Sequence, residues 1–554
     1  MYLVPLAADT ANPMALKSDE ASAVEPAPAA KPESKGGKKA ASKSDDKTPA
    51  AAPAMKVDID GIALRITELP VNESFAQPFA EKDGKLYYNS REGTKVLDLK
   101  TLKSDKSPMP RPMAWTADMS KVLVRDGGSY KVCPFGASAG KEASVPVDEI
   151  DMVIDHKAEW KQIFDESWRI TRDGFYVENM HGADWNHIYE KYAQMLPYVN
   201  HRDDLTYLIG EMLGELNVGH AYITSGESPA VPRVKTGLLG ANFSKDAASG
   251  AFRIEKIFPA AIWDKNLRSP LLEPGVDAKV GEYIVEVAGR PASSLKDVTE
   301  ALVGKADKTV SLRIASRADG KDARTVYVKP IADESQLAYQ EWVKRNMEIV
   351  DKLSGGRIGY IHIPDMSAEG LVMFSKMYYN QLDREALIID DRMNGGGNVS
   401  PMIIERLQRE VYRISMYRNG ANEPVPNEAF YGPKVCLIDK YSSSDGDLFP
   451  YSFRKLGLGK LIGTRSWGGI VGISGSKEFV DGQDMRTPFF TSYSTECEWI
   501  IEGHGVDPDI VVDINPFDDY LGKDAQLEKA VEVLLEELKD WKPLPGTPAA
   551  PVKN

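Results

Sequence analysis

The chain has 554 residues, of which 42% are hydrophobic and 27% are charged, and its formal net charge is −14. This apolar content is that of folded protein and excludes a mostly disordered chain. The acidic balance argues against a general nucleic-acid binder, which needs basic surface to neutralise phosphates. The sequence contains no run of 18 or more apolar residues, so no membrane span is predicted.

Cysteine and histidine usage excludes two further classes. Three cysteines cannot build a disulfide framework, and Cys133 and Cys436 lie in apolar runs typical of core residues. The seven histidines form no metal-binding pattern, so no metal site is predicted.

The first 55 residues contain two different segments. Residues 1–16 are a short apolar stretch without the cationic start of a secretion signal, which favours the cytoplasm. The periplasm is the alternative if the true N-terminus is missing. Residues 17–55 are rich in Ala, Pro, Lys and Ser and are predicted to be a disordered linker.

Short strands and then helices follow. Residues 56–150 show alternating patterns with Asp-Gly turns, which predict antiparallel hairpins resembling two blades of a β-propeller. Residues 151–230 contain apolar residues at three- and four-residue spacing, which predict a small helical domain.

Two more domains are predicted beyond residue 230. Residues 231–335 read as five strands with a helix at 295–305, and Gly-Leu-Leu-Gly at 237–240 makes the segment look like a PDZ domain; an unrelated small β domain is the alternative. In 336–540 short buried strands alternate with helices, which indicates an α/β domain with a mainly parallel sheet. Residues 541–554 are predicted to be a loose tail.

Two strand-to-helix corners of the α/β domain carry candidate chemistry. At the first corner a strand ending in Asp390 and Asp391 is followed by three glycines at 395–397 and a helix. Glycines permit a sharp turn with exposed N–H groups, which would suit half of an oxyanion hole. A simple tight turn and a phosphate site are the alternatives, although no Walker lysine follows.

The second corner presents a serine. A buried strand at 434–439 runs into Ser442-Ser443-Ser444-Asp445-Gly446 and then a helix. A serine at such a turn can act as a nucleophile, but a serine at a helix start is also the ordinary N-cap. A nucleophilic serine needs a base, and spacing alone does not choose between His220 and His504.

Four segments taken together resemble the tricorn family of serine proteases, relatives of the C-terminal processing peptidases. They are LNVGHAYI, DDRMNGGGNVS, SSSDGDLFPYSFRKLGLGKLIGTRSWGGIVGI and WIIEGHGVDPDIVV, in the family's order. The resemblance implies a multidomain α+β fold. Its parts are a propeller remnant, a small helical domain, a PDZ domain and a protease domain of the crotonase or ClpP type.

The same resemblance implies a role for each motif residue. Ser444 is the nucleophile, His220 is the general base and Glu502 is the acidic member of the tetrad. The N–H groups of Gly397 and Asp445 form the oxyanion hole. The implied function is a serine endopeptidase acting on peptides or unfolded polypeptide, assembled as a homo-oligomer, a hexamer in the family, without metal or organic cofactor.

Three departures from the family's pattern bear on activity. Gly219 stands where the family has a serine before the histidine, and residues 411–422 lack the acidic residue that would receive a basic substrate side chain. Only a remnant stands where the family has two propellers. The first alternative is therefore a catalytically weak or inactive PDZ-containing peptide-binding protein. The second is a crotonase-type acyl-CoA enzyme, because the α/β domain shares that layout of strand, glycine turn and helix.

Overall fold

The computed structural model describes residues 1–10, 12, 14, 56–126, 128–138, 144–226, 231–259, 267–473 and 477–552. The predicted linker at 17–55 lies outside the described residues. The chain divides into two compact units, Met1–Ile154 and Asp155–Asn554.

The first unit consists of antiparallel strands. One four-stranded sheet has strands Ala76–Lys82, Lys85–Ser90, Gly93–Asp98 and Ser104–Lys106, and the other has Pro112–Trp115, Lys121–Asp126, Ser129–Pro134 and Ser144–Val145. Tyr2–Leu3 pairs with Thr67–Glu68, and short 3₁₀ turns lie at Ile62–Arg65 and Val147–Glu149. Asp83 and Gly84 both have positive φ, 54° and 73°. Tight two-residue hairpin turns require this conformation, so the Asp-Gly signal sets the register here.

A helical domain opens the second unit. Its helices are His156–Gly174, Trp185–Ala193 and Arg202–Gly214, with 3₁₀ turns at Met180–Gly182 and Leu196–Tyr198. Asp155 and Asp184 cap the first two helices through their side chains. The strand Tyr222–Ile223 then pairs with Asp484–Arg486, far along the chain. The segment between the third helix and this strand is therefore held at both ends.

The PDZ-like domain is an antiparallel sheet. Its order is Ala241–Lys245, Phe252–Ile257, Tyr283–Val287, Val310–Ala315 and Arg324–Val328, and Arg290–Pro291 pairs beside the third strand. Short 3₁₀ turns lie at Pro270–Leu272 and Ala292–Ser294. The helix predicted at 295–305 is wrong in type and length, because the segment forms only a 3₁₀ turn at Val298–Leu302. Val298, Ala301 and Leu302 are buried under the sheet, so packing rather than helical hydrogen bonding fixes this turn.

The α/β domain has a five-stranded, fully parallel sheet. Its order is Ile358–His362, Ala386–Asp390, Lys434–Ile438, Lys460–Gly463 and Ile510–Val511. All residues of the first three strands are buried, as expected for a sheet covered on both faces. The helices around it are Ser335–Ser354, Ala368–Tyr379, Ser400–Leu407, Asp445–Lys455, Pro516–Tyr520 and Ala525–Glu537. Because the strands are parallel, the corners after Asp390 and Ile438 meet at one edge of the sheet.

Smaller features complete the domain. Two-stranded pairings join Arg413–Ser415 to Glu423–Val425 and Gly472–Ile473 to Pro488–Phe490, while Lys477–Glu478 extends the Asp484–Arg486 strand. Cys133 and Cys436 are buried, as predicted, and Cys497 is exposed. In the described part of the chain, no helix has the length and apolar character needed to cross a bilayer.

Candidate active site

Ser444 sits at the corner between the strand Lys434–Ile438 and the helix Asp445–Lys455. Its backbone has φ 59° and ψ −120°, a conformation that L-residues rarely adopt. Such strain persists only where the surrounding structure enforces it, and it is typical of a serine presented at a strand-to-helix turn. The corner therefore has the backbone of a nucleophile elbow.

The glycine turn packs directly on this corner. A Cβ atom added to Gly396, which has φ 87°, would lie 2.6 Å from Ser444 Cβ and 2.9 Å from the Asp445 nitrogen. Ser443 donates its N–H to the carbonyl oxygen of Asn394 at 2.8 Å, which ties the two corners together. The structure thus brings the turn at 395–397 against Ser444, and only glycine at 396 allows the approach.

Two backbone N–H groups at this junction are available for a ligand. Among the described residues, no hydrogen bond uses the N–H of Gly397 or of Asp445. The Asp445 side chain is engaged elsewhere, because its carboxylate accepts the N–H and the hydroxyl of Ser400 at the start of the helix Ser400–Leu407. Paired free N–H groups beside a serine are what a tetrahedral oxyanion requires.

Asp447 connects Ser444 to the loop at 466–469. Its carboxylate accepts the N–H of Ser444 at 2.9 Å, of Gly468 at 2.9 Å and of Gly469 at 3.3 Å. Burial raises the pKa of Asp447 to about 6, although these N–H groups and the Ser466 side chain oppose the shift. The sequence analysis missed this residue, although an acidic residue three positions after Ser444 is a visible capping pattern.

His220 reaches the same region from the helical domain. The centroid of its ring lies 5.1 Å from that of the Trp467 ring, in an edge-on arrangement. The backbone N–H of Trp467 donates to the carbonyl oxygen of Ser442 at 2.9 Å. His504, the alternative base, is exposed and bonds Asp507 instead. The structure therefore places His220, and not His504, against the loop at 466–469, which packs on the Ser444 corner.

The imidazole of His220 is half-buried and incompletely hydrogen-bonded. Burial lowers its pKa, and the negative charge of Glu502 opposes only part of that shift. Its Nδ1 atom is buried and has no hydrogen-bond partner among the described residues. In the same part of the chain, no hydrogen bond joins His220 to the Ser444 hydroxyl. A neutral imidazole can accept a proton, and such contacts often tighten only with substrate bound.

Glu502 joins the His220 segment to the α/β domain. One carboxylate oxygen accepts the N–H of Gly219 at 2.8 Å, and the other accepts those of Ile470 at 2.6 Å and Val471 at 3.0 Å. Gly219 has no side-chain hydroxyl, so Glu502 contacts the backbone of this residue instead. Glu502 therefore holds the peptide unit before His220.

Asp390 and Asp391 follow one another at the end of the strand Ala386–Asp390, which neighbours the strand that leads to Ser444. Asp390 is buried in an ion pair with Arg392, which also contacts Asp524. Burial, together with the nearby Asp390, raises the pKa of Asp391, whose Oδ1 accepts a hydrogen bond from Asn394. Asn394 in turn accepts the N–H of Gly396 at 2.9 Å, so Asp391 is linked to the glycine turn through Asn394.

Comparison with family models matches three segments. Residues 156–214 match the tricorn protease C1 domain, 237–333 the tricorn protease PDZ domain and 357–512 peptidase family S41. Together these matches cover the helical, PDZ-like and α/β domains.

Curated proteins and a solved structure are similar along most of the chain. Tricorn protease homolog 1 of Streptomyces coelicolor is 33% identical over 88% of this chain and 48% of its own length. The tricorn protease of Thermoplasma acidophilum is 32% identical over 88% of this chain and 45% of its own length. The crystal structure of the tricorn protease, 29% identical, superposes with a TM-score of 0.79 over 89% of this chain and 50% of that chain. The chain thus spans about half the length of these relatives.

Proposed function

The chain belongs to the tricorn protease family, and from this membership we propose that it is a serine endopeptidase. It hydrolyses peptides or unfolded polypeptide through an acyl-enzyme on Ser444. The observation that carries the proposal is the packing of the Gly396 turn on Ser444, beside which the N–H groups of Gly397 and Asp445 have no acceptor in the described part of the chain.

Each residue has one role in the proposed reaction. Ser444 Oγ attacks the scissile carbonyl while His220 takes its proton, and the same imidazole later protonates the leaving amine. The N–H groups of Gly397 and Asp445 stabilise the oxyanion, an effect worth about 3 kcal/mol for each donor in known hydrolases. Glu502 is a positioning residue, because it holds the peptide unit before His220.

The oligomeric state, the compartment and the cleavage preference are also proposed from family membership and sequence. Family membership supports a homo-oligomer, a hexamer by resemblance, in the cytoplasm. The segment 411–422 offers no acidic side chain, so we expect no preference for Lys or Arg at the cleavage site. Sedimentation velocity on the purified chain tests the assembly.

The activity is tested with paired variants and a short fluorogenic peptide. Ser444→Ala and His220→Ala should each lower kcat/KM by at least about a thousandfold, as removal of a nucleophile or base does in serine proteases. Ser443→Ala and His504→Ala are matched controls, since one is the adjacent serine and the other is the alternative base. They should retain most of the activity.

Either of two outcomes would contradict the proposal. Full activity in Ser444→Ala would place the nucleophile elsewhere. A loss in His504→Ala with His220→Ala unaffected would reverse the assignment of the base. Circular dichroism of each variant shows that the fold is kept.

A further inference from the structure

The PDZ-like domain carries a groove separate from the serine corner. It encloses about 350 Å³ between the strand Ala241–Lys245 and the turn Val298–Leu302. Its apolar lining includes Leu239, Phe243, Phe252 and Leu302. The strand lies at the edge of the sheet, and among the described residues it pairs only with Phe252–Ile257. An open strand edge beside apolar side chains fits the addition of an extended peptide.

One end of the groove is already occupied by a carboxylate of the chain itself. Glu334 accepts the backbone N–H of Gly240 at 3.0 Å. Glu334 lies one residue beyond the segment that matches the PDZ model and directly precedes the helix Ser335–Ser354. In the loop before the edge strand, a free backbone N–H would otherwise be a site for the terminal carboxylate of a peptide.

A second backbone N–H of the same loop, that of Leu238, is also hydrogen-bonded within the chain. Leu238 donates its N–H to the carbonyl oxygen of Ile331 at 2.8 Å and accepts the N–H of Ile331 at 3.0 Å. Gly240 has φ 69°, and an added Cβ would lie 3.2 Å from Leu337 Cδ1. The segment that follows the PDZ-like sheet therefore packs against the loop and uses the backbone N–H groups of Leu238 and Gly240.

At the Gly240 end of the groove the charge of Glu334 favours a cationic ligand group, whereas Lys245, Lys296 and Asp297 line the groove beyond it. Glu334 is half-buried, and among the described residues it forms no ion pair with a Lys or Arg side chain. Burial raises the pKa of its carboxyl, although the Gly240 N–H opposes the shift. An arriving carboxylate would meet a like charge, whereas an ammonium or guanidinium group would neutralise Glu334.

We propose that this groove binds an internal, extended segment of another polypeptide, and not a chain terminus, with a Lys or Arg side chain opposite Glu334. The segment adds as a strand to Ala241–Lys245, and Glu334 takes the place of a ligand's terminal carboxylate. The inference does not depend on Ser444 being a nucleophile, since it concerns binding alone.

Binding of paired synthetic peptides to the full chain tests this assignment. The chain carries Ser444→Ala so that no peptide is cleaved. An array of eight-residue peptides is made twice, once with a free terminal carboxylate and once with a terminal amide. Fluorescence anisotropy then gives Kd for the best pairs. We expect the two forms to bind within about twofold of each other and the best peptides to contain Lys or Arg, because one ion pair at the groove sets the preference.

Variants connect the result to Glu334 and to the groove. Glu334→Ala should remove the preference for Lys and Arg and should make the carboxylate form bind about tenfold better than the amide, the scale of one charge-assisted hydrogen bond. Asp333→Ala, which removes the adjacent exposed carboxylate, should behave like the parent. Thr299→Arg fills the groove and should abolish binding of both forms.

Three results would overturn the proposal. The first is a tenfold or greater preference of the parent chain for free carboxylates. The second is an unchanged preference in Glu334→Ala. The third is that Thr299→Arg also binds every peptide of the array that the parent chain or Glu334→Ala binds, or that none of the three proteins binds any peptide.

Discussion

The backbone N–H of Gly219 donates to Glu502 at 2.8 Å, at the position where the family resemblance places a serine side chain. A Cβ atom on Gly219 would lie 2.9 Å from Gly469 Cα and 3.1 Å from the Trp467 ring. The loop at 467–469 therefore occupies the space that a side chain would need. The close packing therefore goes together with the missing hydroxyl, and among the described residues Nδ1 of His220 has no hydrogen-bond partner.

A pair of substitutions at Gly219 separates these two aspects. Gly219→Ala and Gly219→Ser add the same Cβ, so both should lower kcat/KM relative to the wild type, by about tenfold for a displaced base. Only the serine adds a hydroxyl that can bond His220 Nδ1, so it should be several-fold more active than the alanine variant. Wild-type activity in Gly219→Ala would show that the space is not tight, and equal activity of the two variants would show that the hydroxyl does not serve His220.

The pH dependence of kcat/KM follows from two residues. Burial lowers the pKa of His220 below its ordinary value of 6.5, so the neutral base persists as pH falls and is lost only below that value. The pKa of Asp447 is raised to about 6, and its protonation weakens the acceptor that holds the Ser444 N–H. We expect full activity at pH 7 and an acid limb below pH 6.5 that is steeper than one titrating group gives. An acid limb centred above pH 7 would contradict the neutral, buried histidine.

Among the secondary-structure elements, the glycine turn and the serine corner act as one unit. The parallel strands Ala386–Asp390 and Lys434–Ile438 are neighbours, so their C-terminal corners meet. Gly396 brings the turn within contact of Ser444, and Asp447 fixes the first turn of the following helix. The free N–H groups of Gly397 and Asp445 result from this meeting of two loops, and neither corner would provide them alone.

Adjacent glycines in the turn provide a matched test. A Cβ on Gly396 would lie 2.6 Å from both Ser443 O and Ser444 Cβ, whereas a Cβ on Gly395 has no neighbour within 4 Å. Gly396→Ala should therefore lower kcat by at least about a hundredfold, the scale of one lost oxyanion donor, and Gly395→Ala should stay near wild type. Equal activities of these two variants, measured with the same fluorogenic peptide, would exclude the glycine turn from the oxyanion site.

Some of these elements could be predicted from the sequence and others could not. The buried strands and the Ser444 and Gly397 corners have strong local signals, because apolar runs end abruptly in glycine and serine. The sequence analysis did not place the helices Ser335–Ser354 and Ala368–Tyr379. Each buries only part of its length, although Gly355 ends the first and Ser367 caps the second. The choice of His220 over His504 needed the pairing of Tyr222–Ile223 with a strand some 260 residues away in sequence, a tertiary contact that local patterns do not encode.

Within the unit Asp155–Asn554, the site is assembled from two domains. His220 comes from the end of the helical domain, and Ser444 and Glu502 come from the α/β domain. Besides Glu502, a second link is the ion pair between Arg202 and Asp481 at 2.8 Å, both of which are largely buried. The base is therefore placed by domain docking, and anything that loosens the docking should reduce catalysis.

Removing Asp481 tests this docking. Asp481→Ala leaves the Arg202 guanidinium buried without its charge partner, which should lower the free energy of unfolding by about 3 kcal/mol and reduce kcat/KM. Glu532→Ala is the control, because it breaks the exposed pair with Lys529 on the last helix and should change stability by less than about 1 kcal/mol. Chemical denaturation measures both variants. An Asp481→Ala protein as stable and active as the control would show that this ion pair does not hold the base in place.

The central claim is that Ser444 is an activated nucleophile, and fluorophosphonate labelling of the purified chain tests it most directly. The adduct is mapped by mass spectrometry after proteolysis. We predict one adduct on Ser444, its loss in Ser444→Ala and a much slower reaction in His220→Ala, since only a serine with a base at hand attacks the phosphorus. A folded chain that forms no adduct, or one labelled at another serine, would contradict the account.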